Sequence, residues 1–430
     1  MHLMLAMSTA LASPICEAAQ KLGWREIDGH LLAPENGPME FRPEPAAMLQ
    51  MSRMIRSLEA LGTEVVVVMI PPRARVVLAP GPRSSAPRYW LDDRSAFAGT
   101  LEWFRAQGAG APDLMALGLE MATRGEAMFR PDDGHFTAQG SLAAAQLIAS
   151  TIRAQGQYPW LGQAAAALRV EGVDRPRPGV LATDLAAACG TKPTSNFEQP
   201  NYVLDYAPVD GSLLLADAPE PEVVMVSSSF GNPMFFMPQA LEAELDAPLL
   251  NITLADGRLG SALRSWLEGE NFKLHKPDVL VWVFSVNHLF GQAAAHGASL
   301  AKAEGFRQLL PLVDGGCTDA SAARVLSLRD GGTLLALTDA PVPARGHYLQ
   351  IEAENLRPVD FSLRLTYDGG AIETVRLPPD ERAPLRPSAM LAFNDAMGTV
   401  RMIRLTPPAG TSLDGLRARV CRATNPVLAP

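Results

Sequence analysis

Four stretches of the chain consist almost entirely of apolar residues, many of them β-branched, as expected for strands buried on both faces of a sheet. The first spans residues 64–70, contains four consecutive valines and ends at two prolines, which cannot continue a strand ladder. The others occupy residues 222–226, 249–254 and 279–286. The pattern therefore predicts four buried strands.

Amphipathic segments with helical spacing lie between and beside these strands. Residues 46–61 place apolar side chains on one helical face, and Gly62 follows as a helix-ending residue. Further helices are predicted over residues 259–267 and 292–310. Buried strands that alternate with helices indicate an α/β fold with a doubly wound parallel sheet, in which ligands bind at the carboxyl ends of the strands.

Three regions depart from this pattern. Residues 78–89 are rich in Pro, Gly and Ser and are predicted to form a loop, and residues 171–202 are predicted to be a long insertion or an irregular excursion. After about Cys317, short alternating strands separated by Gly and Pro turns are typical of an antiparallel β-sandwich. These strands are predicted over residues 333–337, 348–353, 361–367, 372–377, 390–393 and 399–405.

The composition is that of a folded protein, because hydrophobic residues make up 47% of the 430 residues and charged residues only 19%. A chain of this length is expected to form more than one domain. The formal net charge of −9 argues against nonspecific binding of nucleic acid, which needs a basic surface.

The N-terminal segment carries no formal charge and ends in Ala10-Leu11-Ala12, the small-x-small pattern that precedes cleavage by signal peptidase. We interpret residues 1–12 as an export signal, and the alternative is an N-terminal helix of the mature fold. No other apolar run reaches the ~18 residues needed to cross a bilayer. The mature chain is therefore not expected to span a membrane.

The four cysteines are Cys16, Cys189, Cys317 and Cys421. They form no CxxC pair and have no histidine at metal-ligand spacing, so no metal site is predicted. In an exported protein an even number of cysteines favours two disulfides, for which three connectivities exist. The alternative is four buried thiols in a cytosolic protein.

The strand at residues 222–226 runs directly into the serines Ser227 to Ser229, which are followed by Phe230. Such a strand end presents a hydroxyl at the carboxyl edge of the sheet, beside backbone N–H groups that can bind an oxyanion. Taken alone, the segment is better explained as a serine-rich turn without chemistry.

A second candidate segment contains Asp133 and His135, separated by one glycine. In an extended segment, side chains two residues apart point the same way, so the carboxylate can fix the imidazole tautomer and leave Nε2 as a base. Thr137 is predicted to cap a helix that continues through Ile152. The alternative is a loop histidine satisfied by a neighbouring carboxylate.

Together the two segments resemble motifs of the AlgX/AlgJ-like family of SGNH-fold alginate acetyltransferases. Residues 133–140 are similar to the family signature D-x-H-W-T-x-x-G, and residues 227–230 are similar to its nucleophile block G-[DT]-S-[FY]. Residues 28–31, 68–75 and 281–284 resemble further elements of the family. A C-terminal β-sandwich that binds carbohydrate is a feature of the AlgX branch, so the resemblance covers nearly the whole chain.

The chain departs from the family pattern at three places. Ser227 and Ser228 stand where Gly and Asp or Thr are usual, and Phe136 replaces a Trp. The charged residues that the family has after the tryptophan equivalent to Trp282 are missing. The resemblance therefore leaves the identity of the polymer open.

The resemblance implies an SGNH-hydrolase-like domain over residues 13–316 and a carbohydrate-binding β-sandwich over residues 317–430. It implies that Ser229 is the nucleophile, that His135 is the base and that Asp133 orients His135. The main-chain N–H of Ser229 or Phe230 would hold the oxyanion.

Further candidates lie just after the ends of the predicted strands. Ser228, Phe230, Asn287 and His288 are candidates for oxyanion or substrate binding, and Arg73 is expected either to bind an anionic sugar or to order a loop. The resemblance also places one disulfide in each domain, Cys16–Cys189 and Cys317–Cys421.

The expected activity is O-acetylation of an exopolysaccharide in the periplasm, with an acetyl donor as co-substrate and no metal or organic cofactor. A membrane O-acyltransferase and polysaccharide export machinery are the protein partners that the resemblance suggests. Two alternatives stay open: a polysaccharide acetylesterase with the same triad, and a non-catalytic carbohydrate-binding scaffold of an export complex.

Overall fold

The computed structural model groups its described residues into two compact units. The first unit comprises residues 1–42, 65–262 and 277–293, and the second comprises residues 43–64, 263–276 and 294–430. The residues described are 15–27, 29–33, 44–78, 89–164, 166–174, 176–206, 220–255, 259–289, 303–317, 322–326, 334–352, 361–377, 388–406 and 417–428. The predicted export signal, residues 1–12, lies outside them.

Helices and strands alternate in the first two thirds of the chain, and strands dominate the last third. The helices are α1 (Glu17–Lys21), α2 (Pro45–Glu59), α3 (Arg73–Val77), α4 (Tyr89–Ala106), α5 (Leu114–Thr123), α6 (Ala138–Gln155), α7 (Val180–Cys189), α8 (Met237–Leu245), α9 (Ser261–Glu268), α10 (Glu270–Leu274) and α11 (Ala303–Val313). The strands are β1 (Arg25–Ile27), β2 (His30–Leu32), β3 (Glu64–Ile70), β4 (Ala166–Asp174), β5 (Gln199–Tyr206), β6 (Val223–Ser227), β7 (Leu249–Thr253), β8 (Val279–Ser285), β9 (Ala322–Leu326), β10 (Leu334–Pro343), β11 (His347–Glu352), β12 (Phe361–Tyr367), β13 (Ile372–Leu377), β14 (Ser388–Ala392), β15 (Thr399–Thr406) and β16 (Arg417–Arg422).

The first unit is built around a four-stranded sheet with the order β3-β8-β6-β7. Strand β6 pairs in parallel with β7 and with β8. Alternate residues of the sheet, such as Val66 and Val281, pack with Ile148 of α6 and Leu241 of α8 in one core. The residues between them, such as Val67, are buried as well, as expected for a sheet covered on both faces. The predicted parallel α/β fold is confirmed.

The segment predicted to be irregular, residues 171–202, is mostly ordered, and that prediction is wrong. It holds the end of β4, the whole of α7 and the start of β5, and β4 and β5 pair as an antiparallel ribbon. Helix α7 packs its apolar face, including Leu181 and Leu185, against Trp24 and Leu31. The prolines that suggested a loop lie between β4 and α7, so they separate two elements and do not exclude them.

The second unit contains the predicted antiparallel β-sandwich, which is confirmed. One sheet has the order β10-β15-β12-β13 and the other has the order β14-β11-β16-β9. Leu349 and Leu391 of one sheet share a core with Leu363, Val375 and Ile403 of the other. Strands β9 and β16 were not predicted, because each is short, at five and six residues, and each contains arginine.

Helices α2 and α11 also belong to the second unit. Arg307 of α11 is buried and donates two hydrogen bonds to the Glu373 carboxylate, at 2.6 and 3.1 Å, and one to the Ala392 carbonyl, at 2.7 Å. The compact unit is therefore larger than residues 317–430. The domain boundaries expected at residues 12/13 and 316/317 stay predictions.

Both disulfides have the expected pairing. Cys16 is bonded to Cys189 in the first unit and Cys317 to Cys421 in the second. They close loops with sequence separations of 173 and 104 residues, for which the chain-entropy model gives a stabilisation of about 4–5 kcal/mol as a ceiling. Within the described residues, no helix combines the length and apolar character required to cross a membrane.

Candidate active site

The loop between α5 and α6 brings an aspartate and a histidine together. The Asp133 carboxylate oxygen Oδ1 lies 2.6 Å from Nδ1 of His135 and accepts a hydrogen bond from the His135 main-chain N–H at 3.0 Å. These two contacts form a turn, whereas an extended segment was predicted. A short turn brings the two groups together because Asp readily bonds the backbone two residues further on. The pairing itself is as predicted.

The nucleophile candidate lies at the carboxyl end of β6. The strand ends at Ser227, and Ser229 opens a one-turn helix, Ser229–Gly231. The Ser229 Oγ lies 2.7 Å from Nε2 of His135. Residues 133, 135 and 229 therefore form a continuous chain of hydrogen bonds from carboxylate to imidazole to hydroxyl.

Two phenylalanines hold the imidazole of His135 in place. The Phe235 ring stacks on it with centroids 3.9 Å apart and an interplanar angle of 10°. The Phe230 ring contacts it at 5.0 Å. These rings fix the tilt of the imidazole and exclude water from one of its faces. Phe235 was not singled out from the sequence, because two adjacent phenylalanines after a turn carry no distinguishing signal.

The Asp133 carboxylate is buried but well supplied with donors. Its second oxygen, Oδ2, accepts a hydrogen bond from the Val180 main-chain N–H at 2.9 Å. Burial raises the pKa of the Asp133 carboxyl, but the hydrogen bond and charge of His135 and the N–H groups of Val180 and His135 outweigh it, so the pKa is lowered overall. Asp133 is therefore ionised at neutral pH, as a residue that stabilises an imidazolium must be.

Arg73 follows β3 and is buried, with only 6% of its surface exposed. Its guanidinium donates hydrogen bonds to the main-chain carbonyls of Leu31, Arg130 (2.8 Å) and Pro131 (2.9 Å). These contacts anchor the start of the loop that carries Asp133. One of the two roles expected for Arg73, the ordering of a loop, therefore has direct contacts in the structure, and the binding of a sugar stays a prediction.

His30 is part of the same support. Its Nδ1 lies 3.2 Å from Nη2 of Arg73. Burial and the Arg73 charge lower the pKa of His30 to about 4, although a backbone hydrogen bond with Arg130 raises it. His30 is thus neutral at neutral pH, and its unprotonated Nδ1 can accept a hydrogen bond from Arg73. Burial likewise lowers the pKa of Arg73 to about 10, against the raising effect of Asp133 and Asp132.

The far end of the loop is fixed by the start of α6. Thr137 caps this helix as predicted, since its Oγ1 accepts a hydrogen bond from the Gly140 N–H at 2.9 Å. A Cβ on Gly140 would lie 2.1 Å from the Met128 carbonyl oxygen. The Thr-x-x-Gly spacing therefore has a steric reason, because only glycine lets the helix approach the strand-like segment before the loop.

The other residues predicted to bind the oxyanion or the substrate are Ser228, Phe230, Asn287 and His288. Ser228 and Phe230 flank Ser229 and are buried, and Ser228 contacts β8 through its main-chain N–H and the Val283 carbonyl at 3.4 Å. His288 follows β8 in a one-turn helix. The side chain of Asn287 lies outside the described part of the structure. Binding roles for all four residues stay predictions.

Asn251 of β7 is a site residue that the sequence did not reveal. Its Nδ2 donates a hydrogen bond to the Gly231 carbonyl at 2.8 Å, and its Oδ1 accepts one from the Thr253 hydroxyl at 2.9 Å. Asn251 thereby fixes the one-turn helix that begins at Ser229. An asparagine inside an otherwise apolar strand was the available signal.

This arrangement can support acyl transfer. A hydroxyl in contact with a base, itself held by a buried carboxylate, is the constellation that activates a serine. The N–H groups of Ser229 and Phe230 open the one-turn helix and have no acceptor within it, so they are suitable oxyanion donors. In the described part of the chain, no three His, Cys, Asp or Glu side chains are grouped to hold a metal ion.

More than half of the chain matches the sequence model of a known protein family. The sequence model described as "SGNH hydrolase-like domain, acetyltransferase AlgX" matches residues 33–286. The alginate biosynthesis protein AlgX of Pseudomonas aeruginosa is 26% identical over 304 residues, which cover 68% of this chain and 60% of that protein. AlgX of Pseudomonas syringae pv. tomato is 22% identical over 398 residues, 89% of this chain and 80% of that protein.

The fold is also found in a solved structure. The Pseudomonas aeruginosa AlgX structure matches with a TM-score of 0.73 and 19% sequence identity, covering 95% of this chain and 99% of that chain. At this identity the match concerns the fold, and it includes both the α/β part and the β-sandwich part of the chain.

Proposed function

The chain belongs to the SGNH hydrolase-like AlgX acetyltransferase family, and from that premise we propose that it is an O-acetyltransferase acting on hydroxyl groups of an exported polysaccharide. The observation that carries this proposal is the 2.7 Å contact between Ser229 Oγ and His135 Nε2, with Asp133 on the other side of the imidazole. A serine activated in this way accepts acyl groups.

In the first half of the proposed reaction, Ser229 Oγ attacks the acetyl carbonyl of the donor. His135 Nε2 takes the hydroxyl proton and passes it to the leaving group, which departs as the donor's bond to the acetyl group breaks. Asp133 stabilises the imidazolium that forms in between. The N–H groups of Ser229 and Phe230 would bind the oxyanion of the tetrahedral intermediate.

In the second half, a sugar hydroxyl attacks the acetyl-serine. His135 takes the proton of that hydroxyl and returns it to Ser229 Oγ as the ester bond to serine breaks. The products are an O-acetylated sugar and free enzyme, so acetyl groups and protons balance over the cycle. Hydrolysis uses the same residues with water in place of the sugar hydroxyl, and the choice between the two depends on which nucleophile reaches the acetyl-serine.

The relatives named above are alginate biosynthesis proteins, which supports an exopolysaccharide as the substrate class. Two disulfides support an oxidising compartment such as the periplasm. We propose that the protein acts there, beside a membrane O-acyltransferase and export machinery. The acetyl donor is a co-substrate in this scheme, and the chemistry uses only groups of the protein itself.

A donor assay with and without acceptor tests the proposal. The purified chain is incubated with p-nitrophenyl acetate, alone and with uronic-acid or neutral oligosaccharides, and acetylated sugar is measured by mass spectrometry. We expect acetyl groups on an oligosaccharide and a faster release of p-nitrophenol when that acceptor is present. Release to water that no acceptor changes would instead indicate an esterase, and the absence of any turnover would favour a scaffold.

We further propose that the β-sandwich binds the polymer. Arg364 and Arg404 are exposed and lie opposite each other in the register of β12 and β15. Two exposed guanidinium groups in neighbouring strands favour a polymer that carries carboxylates as the ligand. The outer face of this sheet is therefore the proposed contact surface.

Replacing Arg364 by glutamate is expected to weaken binding of an acidic polysaccharide by on the order of tenfold, because it removes an attraction and adds a repulsion. Binding is measured by calorimetry with the full chain carrying Ser229→Ala, so that no turnover occurs. Lys273→Glu makes the same charge change at an exposed residue of α10 and should leave affinity unchanged. Equal effects of the two variants would reduce the contact to nonspecific charge.

A further inference from the structure

We propose that the main-chain N–H of residue 180, at the start of α7, is a positioning group for the triad and sets the orientation of the Asp133 carboxylate. This inference rests on the proposed function of the triad. The proposal gives a role in catalysis to α7, which lies between β4 and β5 in a segment that the sequence predicted to be irregular.

The two carboxylate oxygens of Asp133 accept hydrogen bonds from different donors. Oδ1 of Asp133 accepts hydrogen bonds from the main-chain N–H and from the imidazole Nδ1 of His135, at 3.0 and 2.6 Å. Oδ2 accepts a hydrogen bond from the Val180 main-chain N–H at 2.9 Å. A carboxylate held at both oxygens cannot rotate about its Cβ–Cγ bond without losing a charge-assisted hydrogen bond. The N–H of residue 180 therefore keeps Oδ1 directed at His135.

The preceding aspartate ties the same helix start to the loop. Asp132 accepts hydrogen bonds from the Gly179 N–H at 3.1 Å, through Oδ2, and from the Ala182 N–H at 3.1 Å, through its main-chain carbonyl. A Cβ on Gly179 would lie 2.3 Å from the Asp132 carbonyl oxygen and 2.6 Å from the Asp133 Cβ. Glycine at 179 is thus what allows α7 to approach close enough to bond Asp133.

The helix is held at its other end as well. Its last residue, Cys189, is bonded to Cys16, and Leu181 and Leu185 are buried against Trp24 and Leu31. A helix that is fixed along its length offers its first N–H groups as rigid donors. The positioning group is therefore preorganised, as electrostatic catalysis requires.

Val180→Pro removes this N–H at little cost to the helix. Residue 180 is the first residue of α7, where proline is favoured and where the N–H has no partner within the helix. The Val180 side chain is 53% exposed, and the Gly179 backbone, at φ −71° and ψ 172°, is compatible with a following proline. The proline ring occupies the space of the N–H and displaces Oδ2.

We expect Val180→Pro to lower kcat by about 10- to 100-fold, the range for losing a hydrogen bond to a charged group, with KM for the donor nearly unchanged. The acidic limb of the kcat/KM profile should also move to lower pH, because a displaced Asp133 stabilises the imidazolium of His135 less. The rate at which a fluorophosphonate labels Ser229 should fall in parallel. A loss of packing alone would lower the amount of active protein without moving the pH profile.

Glu270→Pro is the matched control, since it places a proline after Gly269 at the start of α10 with nearly the same N-cap angles, φ −72° and ψ 155°. It should leave the pH profile and the labelling rate at wild-type values. If Val180→Pro does not fold, a backbone ester at position 180, made with the α-hydroxy analogue of valine, removes the N–H without adding a ring. It should shift the profile in the same direction.

Wild-type kcat and an unmoved pH profile in a folded variant lacking this N–H would overturn the positioning role. That outcome is distinct from failure of the proposed triad, in which Ser229 of the wild-type chain itself would not be labelled, and from an esterase, in which Ser229 would be labelled and the wild-type chain would acetylate no sugar.

Discussion

Ser229→Ala and, separately, His135→Ala are expected to reduce acetyl transfer by on the order of 10³-fold or more, as for other members of a serine triad. Each removes one end of the 2.7 Å contact that generates the nucleophile. Ser229 is only partly buried, so its loss leaves no large cavity. The melting temperature of Ser229→Ala should therefore stay close to that of the wild type. Turnover of p-nitrophenyl acetate with an oligosaccharide acceptor measures the first effect, and calorimetry measures the second.

Ser228→Ala is the matched control for the nucleophile. The change removes one serine hydroxyl, as Ser229→Ala does, but from the neighbouring residue. Ser228 is buried, and the serine that contacts His135 is Ser229. It should lower activity less than Ser229→Ala does, even though Ser228 is a candidate for oxyanion or substrate binding, and the double change should be no worse than Ser229→Ala alone. An inactive Ser228→Ala combined with an active Ser229→Ala would show that the nucleophile is assigned to the wrong serine.

Asp133→Asn is expected to lower kcat by on the order of 10³- to 10⁴-fold, as the corresponding change does in serine proteases. The amide keeps the shape of the side chain, but it no longer carries the charge that stabilises the imidazolium of His135. Its NH₂ group can also face Nδ1 and select the wrong tautomer. Single-turnover acetylation of Ser229, followed by mass spectrometry, measures this step without the sugar.

Asp132→Asn tests whether the loss of kcat is specific to the replacement of Asp133. Asp132 is equally buried but is paired with Arg130 at 3.1 Å and does not touch His135. Its replacement should lower the melting temperature, because a buried arginine loses its partner, and should lower kcat much less than Asp133→Asn. Comparable losses of kcat in the two variants would mean that the loop acts as a unit and that no special role belongs to Asp133.

The sheet strands and the two chemical segments could be predicted because each has a local signal. Strand β3, for example, lies where a continuous β-branched run was recognised, and Thr137 caps α6, the amphipathic helix predicted to follow it. Such features depend on neighbours within a few residues along the chain. The same holds for β11, β12 and β13, which lie close to the predicted positions.

The features that were missed depend on contacts that are distant in the sequence. The Val180 N–H that holds Asp133 is 47 residues away, and nothing in the segment around it indicates which carboxylate it serves. Phe235 stacks on His135 only because the chain turns after β6. Arg73 looked equally suited to a sugar and to a loop, and the three carbonyls that accept its hydrogen bonds lie far from it in the sequence.

The central claim is that an acetyl group passes through Ser229 to a sugar, and peptide mass spectrometry tests it most directly. The full chain is mixed with p-nitrophenyl acetate, quenched in acid and digested, with and without an oligosaccharide acceptor. The account predicts one acetyl group on Ser229 in the absence of acceptor, and its loss as O-acetylated oligosaccharide appears. An acetyl group on Ser227 or Ser228, or acetylated sugar formed by Ser229→Ala at the wild-type rate, would contradict it.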